Sequence, residues 1–399
     1  MPIDINVPGS KSIANRALIL SFLTKSNTKF KNLPDSDDVL YMQKAIKKLQ
    51  AKDKKISIYT GNAGTTTRFL TAISPLLGKT IKIDGNKRMQ ERPIKILIDA
   101  LNKLGADIES KTGCPPITIN PKKAKGGNIS LAGNVSSQYV SALLILTLFL
   151  ENDSKIKITK KLYSKPYIEI TLNLLDKFGL KVKNNKFEQF SIKGSQEAKK
   201  LKTFTIEADA SSASYLGAYV LMHPGKEVQI NNLFKNSIQG DIAFLKYLKK
   251  MGAVIKENKK GTIIKAGKKL KCLGEIDMNS TPDLVMTFAV LAMFTEGKTK
   301  ITNVENLKIK ETDRLEALKN EISKFGIKVK TGKSYIEITG NPKLEVKKKI
   351  EIETYDDHRM AMCFGILEDI FPKLKIKNKD CVSKSYTSYW GDLKKLNQG

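Results

Sequence analysis

One motif returns four times along the chain at almost constant spacing: an amphipathic helix, a glycine, then two short strands. The copies are LIDALNKLGADIES, TLNLLDKFGLKVK, FLKYLKKMGAVIK and EALKNEISKFGIKVK. Their glycines are Gly105, Gly179, Gly252 and Gly326, so the steps are 74, 73 and 74 residues. Such a period implies a fold assembled from similar supersecondary units. Each glycine stands where a helix wants a left-handed C-cap, and the residues after it alternate apolar and polar as a half-buried strand does. KVKNNKFEQFSI and KVKTGKSYIEI read as hairpins.

A second element keeps the same rhythm: a small, polar, donor-rich opening followed at once by a helix too apolar for the surface. Six are visible, opening as GSKSIANR from Gly9, GNAGTTTR from Gly61, NVSSQYV from Asn134, ADASSAS from Ala208, NSTPDLV from Asn279 and YDDHRM from Tyr355. With 399 residues the chain exceeds what one core organises, roughly 250 to 300. The expected architecture is α/β: about six similar units, each with one buried and one outer helix against a small sheet, shared between two domains.

A buried helix whose first turn carries Gly, Ser, Thr or Asn offers unpaired N–H groups and a partial positive charge. Any one such serine could be an ordinary N-cap. The openings also carry cations that a cap does not need: Lys11, Arg16, Arg68, His358 and Arg359, with Arg92, Lys310, Arg314 and Lys384 in polar loops near other repeat junctions. If they face a common cleft they form an anion trap, and arginine's planar fork suits carboxylate and phosphate.

Composition agrees without deciding the anion. Lys plus Arg number 70 against 40 Asp plus Glu, a formal charge of +30. The lysines are dispersed in short clusters and aromatics are sparse, which reads as a solvated surface rather than a nucleic-acid footprint. Cys114, Cys272, Cys363 and Cys381 show no metal or disulfide spacing, and two histidines, His223 and His358, cannot assemble a metal site. No metal and no cofactor are expected. The opening MPIDINVPGSKS lacks a leader pattern, and the apolar stretch from Val140 to Leu150 is too short to cross a bilayer, so a soluble cytoplasmic protein is expected.

The strings PGSKSIANR, GNAGTTTR, RMQERP, VSSQYVSALL, SKPYIEIT, EADASSASY, IQGDI, KETDRL and YDDHRMAM occur in this order from residue 8 to residue 362, with Lys384 beyond them. Together they resemble the successive motifs of the 5-enolpyruvylshikimate-3-phosphate synthase family. The resemblance implies a two-domain inside-out α/β barrel built from six βαβαββ repeat units, three per domain. One domain would be discontinuous, 1–10 plus 208–399, carrying the phosphoenolpyruvate side and general base. The other, 11–207, would carry the shikimate 3-phosphate side. Substrates would sit in the cleft between them and draw them together. It further implies a cytoplasmic monomer acting on phosphoenolpyruvate and shikimate 3-phosphate, with no nucleic-acid or membrane partner and with glyphosate as an inhibitor.

Residue by residue, the resemblance assigns Ser136, Ser137 and Ser164 to the shikimate phosphate, with Lys310 adding positive charge. Ser12 and Arg16 would hold the substrate carboxylate, Gln138, Tyr167 and Asn306 its ring and hydroxyls, and Lys11 would contact both substrates. For phosphoenolpyruvate the positions are Lys11, Asn62, Gly64, Arg92, Gln138, Arg314, Arg359 and Lys384. Asp283 would be the general base beside the 5-hydroxyl, and either Glu311 or Lys11 would protonate the methylene carbon. Asp38, Asp313 and His358 would orient neighbouring cations. Gly64 would leave room for glyphosate.

The chain departs from the family's AMRPL at Thr66-Thr67-Arg68-Phe69-Leu70, where Phe69 for proline could shift the helix bearing Gly64, and from its usual ring at Leu307. Two alternatives remain open. A cell-wall enolpyruvyl transferase acting on a UDP-sugar would use a reactive loop cysteine, for which Cys114 in KTGCPPITI is the candidate, although a structural place in a hairpin suits it better. A nucleic-acid binder would use the positive excess alone.

Overall fold

Six parallel strand pairs organise the backbone. The structure, a computed structural model, describes residues 2–398. Contacts divide the chain into two compact units: one joins the segment ending at Ser10 to the chain from Glu207 onward, and the other is Lys11–Ile206.

In the Lys11–Ile206 unit, strands Lys55–Tyr59, Thr80–Asp84, Ile117–Ile119 and Ile108–Ser110 form one four-stranded sheet. Asn128–Ala132, Ser154–Thr159, Gln189–Ile192 and Lys183–Asn185 form a second. Lys29–Lys31 pairs with Thr203–Thr205. In the discontinuous unit, Ile3–Ile5, Glu227–Asn231, Gly261–Lys265 and Val254–Glu257 form a sheet, as do Glu275–Asp277, Gly297–Thr302, Tyr335–Gly340 and Lys328–Thr331. Ile350–Ile352 pairs with Leu374–Ile376. Each four-stranded sheet repeats one order: a parallel pair, then the last strand antiparallel to its neighbour, then the third at the edge.

A parallel pair needs a crossover, and here the crossovers are the apolar helices marked in the sequence. Gly64–Ile73, Ser137–Thr147, Val285–Ala292 and His358–Gly365 each lie between the two strands of one pair. Ala210–Met222 precedes Glu227–Asn231, whose parallel partner is the N-terminal strand Ile3–Ile5. Burial covers every residue of Gly64–Ile73, Val285–Ala292 and His358–Gly365. In Ser137–Thr147 the run Leu143 to Leu146 is within 1% of full burial, each leucine contributing roughly 1.5 to 3 kcal/mol. Both expected hairpins form, Lys183–Asn185 with Gln189–Ile192 and Lys328–Thr331 with Tyr335–Gly340.

The outer amphipathic helices Lys95–Lys103, Lys165–Lys177, Phe244–Lys250 and Arg314–Ser323 end at the repeated glycines, which adopt φ of 99°, 74°, 110° and 80°. Two further outer helices, Asp37–Gln50 and Tyr389–Gln398, are not followed by the glycine and strand pair of the repeat and so lie outside the sequence pattern. Among the described residues no helix is long and apolar enough to cross a membrane.

Gly252 is the most demanding of these caps, because a Cβ there would lie 2.5 Å from the Lys269 carbonyl oxygen. Gly252→Ala should therefore lose more than about 1 kcal/mol in urea unfolding. Gly391→Ala, in helix Tyr389–Gln398 with nothing within 4 Å of the added carbon, should gain up to about 1 kcal/mol.

Candidate active site

The expected site residues are divided between the two units, and many of them stand at or near helix starts. In the Lys11–Ile206 unit, Lys11, Ser12 and Arg16 stand on the first turns of helix Lys11–Leu23. Arg16 is 1% exposed. Its Nε donates to Thr171 Oγ1 at 2.7 Å, Nη1 to the Ser12 carbonyl at 2.8 Å, and Nη2 to Ser141 Oγ at 3.2 Å and the Tyr167 carbonyl at 3.1 Å. Its guanidinium lies 5.1 Å from the ring centre of Phe69. Every acceptor is neutral. Burial pulls the guanidinium down to about 10, which still leaves it charged at neutral pH.

The same cluster holds two more buried arginines. Arg68 Nη1 donates to Gln138 Oε1 at 2.9 Å, and Gln138 Nε2 donates to Thr65 Oγ1 at 3.0 Å. Arg92 Nη1 donates to the Asn62 carbonyl at 3.2 Å and to Asn62 Oδ1 at 3.1 Å. Gly64 opens helix Gly64–Ile73 between them: a Cβ there would lie 2.4 Å from Arg68 Nη1 and 2.8 Å from Arg92 Nη2. The space anticipated for a ligand at Gly64 is thus bordered by the protein's own guanidinium groups. Sequence reasoning noted Arg68 as a cation without a substrate role; its place one turn after Gly64 was the available signal.

Around these arginines, Ser136 caps helix Ser137–Thr147 by accepting from Gln138 N at 3.3 Å, with Ser137 next in line. Ser164, in left-handed conformation with φ 56°, precedes helix Lys165–Lys177, on which Tyr167 lies. Lys11 Nζ pairs with Asp38 Oδ2 at 3.0 Å, so Asp38 does orient a cation. Hydroxyl- and amide-bearing helix starts therefore adjoin buried cations, among which Arg16 and Arg68 donate to neutral groups.

The discontinuous unit answers its cations with carboxylates. Arg314, 1% exposed, opens helix Arg314–Ser323 and binds three of them. Nε donates to Asp357 Oδ2 at 2.7 Å and Nη2 to Asp357 Oδ1 at 3.2 Å. Nη2 also reaches Glu311 Oε2 at 2.9 Å, and Nη1 reaches Asp283 Oδ1 at 3.0 Å. Burial alone would lower Arg314, but Asp357, Glu311 and Asp283 outweigh it and hold the guanidinium above the usual arginine range. Arg359 Nη2 takes the other Asp283 oxygen at 2.8 Å, and its Nη1 donates to the Tyr215 hydroxyl at 3.3 Å. Burial works to raise Asp283, yet the charges of Arg359, Lys310 and Arg314 hold it well below the ordinary carboxylate range.

Asp313 does not orient a cation: its Oδ1 accepts from Leu315 N at 3.1 Å and Glu316 N at 3.2 Å, so it is the N-cap of its helix. The cation-orienting role falls to Asp357, fully buried, which also caps helix His358–Gly365 through Arg359 N at 2.9 Å. Asn306 is buried in the turn Glu305–Ile309, and Lys384 is buried at the end of Lys379–Lys384. Cys114 lies between the antiparallel strands Ile108–Ser110 and Ile117–Ile119, with its carbonyl accepting from Ser110 Oγ at 2.6 Å.

Comparison with known proteins follows this geometry. The model of the family described as EPSP synthase (3-phosphoshikimate 1-carboxyvinyltransferase) matches residues 3–57 and 50–393. A 3-phosphoshikimate 1-carboxyvinyltransferase of Buchnera aphidicola subsp. Baizongia pistaciae is 42% identical over 416 aligned positions, covering 98% of this chain and 96% of its own. One from Actinobacillus pleuropneumoniae serotype 3 is 40% identical, covering 99% and 96%. The solved EPSP synthase of Acinetobacter baumannii superposes with a TM-score of 0.76 at 22% identity, covering 99% of this chain and 95% of its own, and shares the fold.

Arg314 should be the costliest of these side chains to remove. Arg314→Met leaves three carboxylates without their shared cation and should destabilise the protein by about 3 to 5 kcal/mol in urea unfolding at pH 7. Asp283 is depressed in the folded state, so its stabilising contribution exists above about pH 4 and fades as pH falls further. The gap between wild type and Arg314→Met should narrow accordingly in acid.

Proposed function

Because the chain belongs to the EPSP synthase (3-phosphoshikimate 1-carboxyvinyltransferase) family, we infer that it transfers the enolpyruvyl group of phosphoenolpyruvate to the 5-hydroxyl of shikimate 3-phosphate and releases phosphate. It is a transferase of the shikimate pathway to aromatic amino acids and a target of glyphosate.

The observation that best supports a mechanism is the setting of Asp283, a carboxylate gripped by Arg314 and Arg359 at 3.0 and 2.8 Å. Held that way it is a weak base. Phosphoenolpyruvate brings a carboxylate and a phosphate that compete for those same guanidinium groups. As they are drawn to substrate, Asp283 loses stabilisation as an anion and its proton affinity rises. The base is thereby strengthened by the substrate it serves. Asp283 takes the 5-hydroxyl proton as the oxygen adds to the central carbon. Glu311 or Lys11 gives a proton to the methylene carbon, and the tetrahedral intermediate expels phosphate after a proton returns from that carbon to the protein.

The assignments for binding follow the same reading. Ser136, Ser137, Ser164 and Lys310 hold the shikimate phosphate, Ser12 and Arg16 the carboxylate, and Gln138, Tyr167 and Asn306 the ring. Lys11, Asn62, Gly64, Arg92, Gln138, Arg314, Arg359 and Lys384 hold phosphoenolpyruvate. For the fold we propose the family's inside-out barrel of six βαβαββ units, three in 1–10 plus 208–399 and three in 11–207. The recurring strand order supports it. We further propose a cytoplasmic monomer.

The deciding assay is inorganic phosphate release from phosphoenolpyruvate with shikimate 3-phosphate offered against UDP-N-acetylglucosamine. Release with the first and not the second is expected; the reverse would move the chain to the UDP-sugar reaction. Gly64→Ala must displace Arg68 or Arg92, so it should raise the KM for phosphoenolpyruvate about tenfold, on the order of one lost charge-assisted contact, while leaving the KM for shikimate 3-phosphate nearly unchanged.

A further inference from the structure

Asp241 belongs to the IQGDI string, to which the sequence assigns no role. It sits in the turn Gly240–Ala243 and is 4% exposed. Its Oδ2 accepts a hydrogen bond from Ser211 Oγ at the start of helix Ala210–Met222. One turn further along that helix is Tyr215, whose hydroxyl accepts from Arg359 Nη1 at 3.3 Å. Arg359 in turn grips Asp283 at 2.8 Å. Helix Ala210–Met222 thus joins Asp241, through Ser211, to the Tyr215–Arg359–Asp283 chain of hydrogen bonds.

We propose that Asp241 is a positioning residue for the transfer reaction: when ionised, it places a second negative charge beside Arg359 and Asp283 and makes Asp283 a stronger base. This rests on the reading of Asp283 as general base.

The groups whose charge or hydrogen bonding acts on Asp241 include Asp283, Ser211 and Asp209 from the helix start, and Arg359 from helix His358–Gly365, while Asp241 acts on Tyr247 of helix Phe244–Lys250. Burial first, and then the charge of Asp283, push the Asp241 carboxyl up to about 7, against the Ser211 hydrogen bond and Arg359, which pull it down. Its charge therefore changes in the range where the enzyme works. Two like charges in one buried site raise each other's proton affinity, so ionised Asp241 acts on Asp283 in the sense that general-base catalysis requires.

The test is the pH dependence of kcat for wild type, Asp241→Asn and Ser211→Ala, read as phosphate release at saturating substrates. Wild type should show kcat rising with pH through a limb near neutrality. Asp241→Asn should lack that limb and turn over about tenfold more slowly on the plateau, the consequence of roughly one unit of lost basicity. Ser211→Ala removes a hydrogen bond that favours the ionised carboxyl, so its limb should persist but move to higher pH. A limb unchanged in height and position in Asp241→Asn overturns the proposal. Should that variant fail to fold, an unmoved limb in Ser211→Ala overturns it equally. Wild type that releases no phosphate with shikimate 3-phosphate would refute the functional reading itself, whereas active wild type with unmoved limbs refutes only the role of Asp241.

Discussion

A charge withdrawn from water must be answered by an opposite charge or by closely placed dipoles, and the two units of this chain answer it differently. Arg314 is buried against Asp283, Glu311 and Asp357. Arg16 is buried equally deeply but meets two hydroxyl groups and two carbonyls. The first arrangement is closed in charge and stabilises the resting protein. The second keeps an unanswered positive charge among helix starts that add to it, which is the electrostatic condition for taking up an anion.

The fold follows from the same demand. Helices that begin with small hydroxyl and amide residues and continue as unbroken apolar runs must bury their length while keeping their first turns polar. Parallel strand pairs on one side and amphipathic helices on the other meet that requirement. Gly64 shows how tightly the polar end is packed: its missing side chain is what lets Arg68 and Arg92 approach the helix start together. The carboxylate clamp makes a complementary point about catalysis. On the roles proposed for Asp283, Arg314 and Arg359, the base is restrained until its substrate draws those cations away, which would tie proton abstraction to occupancy.

Much of this was legible in the sequence because its signals are local. The repeated glycines adopt left-handed φ for the reason their position suggested, and the apolar helices announce their burial by having no polar face. What could not be read depends on tertiary partners. Asp313 and Asp357 both cap a helix and precede an arginine in similar polar strings; only packing decides that Asp357 also clamps Arg314. The pairing of Ile3–Ile5 with a strand more than two hundred residues away carries no local mark. Helix Asp37–Gln50 is followed by Ala51 instead of a glycine, and neither it nor Tyr389–Gln398 leads into the strand pair of the repeat. Asp241 was visible as part of a motif, but its link to Asp283 runs through Ser211, Tyr215 and Arg359 on separate elements.

The most direct measurement of the central claim is the thermal unfolding midpoint of wild type and Arg16→Met as shikimate 3-phosphate is added. If the uncompensated guanidinium is what calls for the anion, wild type should gain stability with ligand, by about 2.7 kcal/mol at a hundred times Kd. Folded Arg16→Met should then show almost no response. Equal ligand-induced shifts in both proteins would contradict the account.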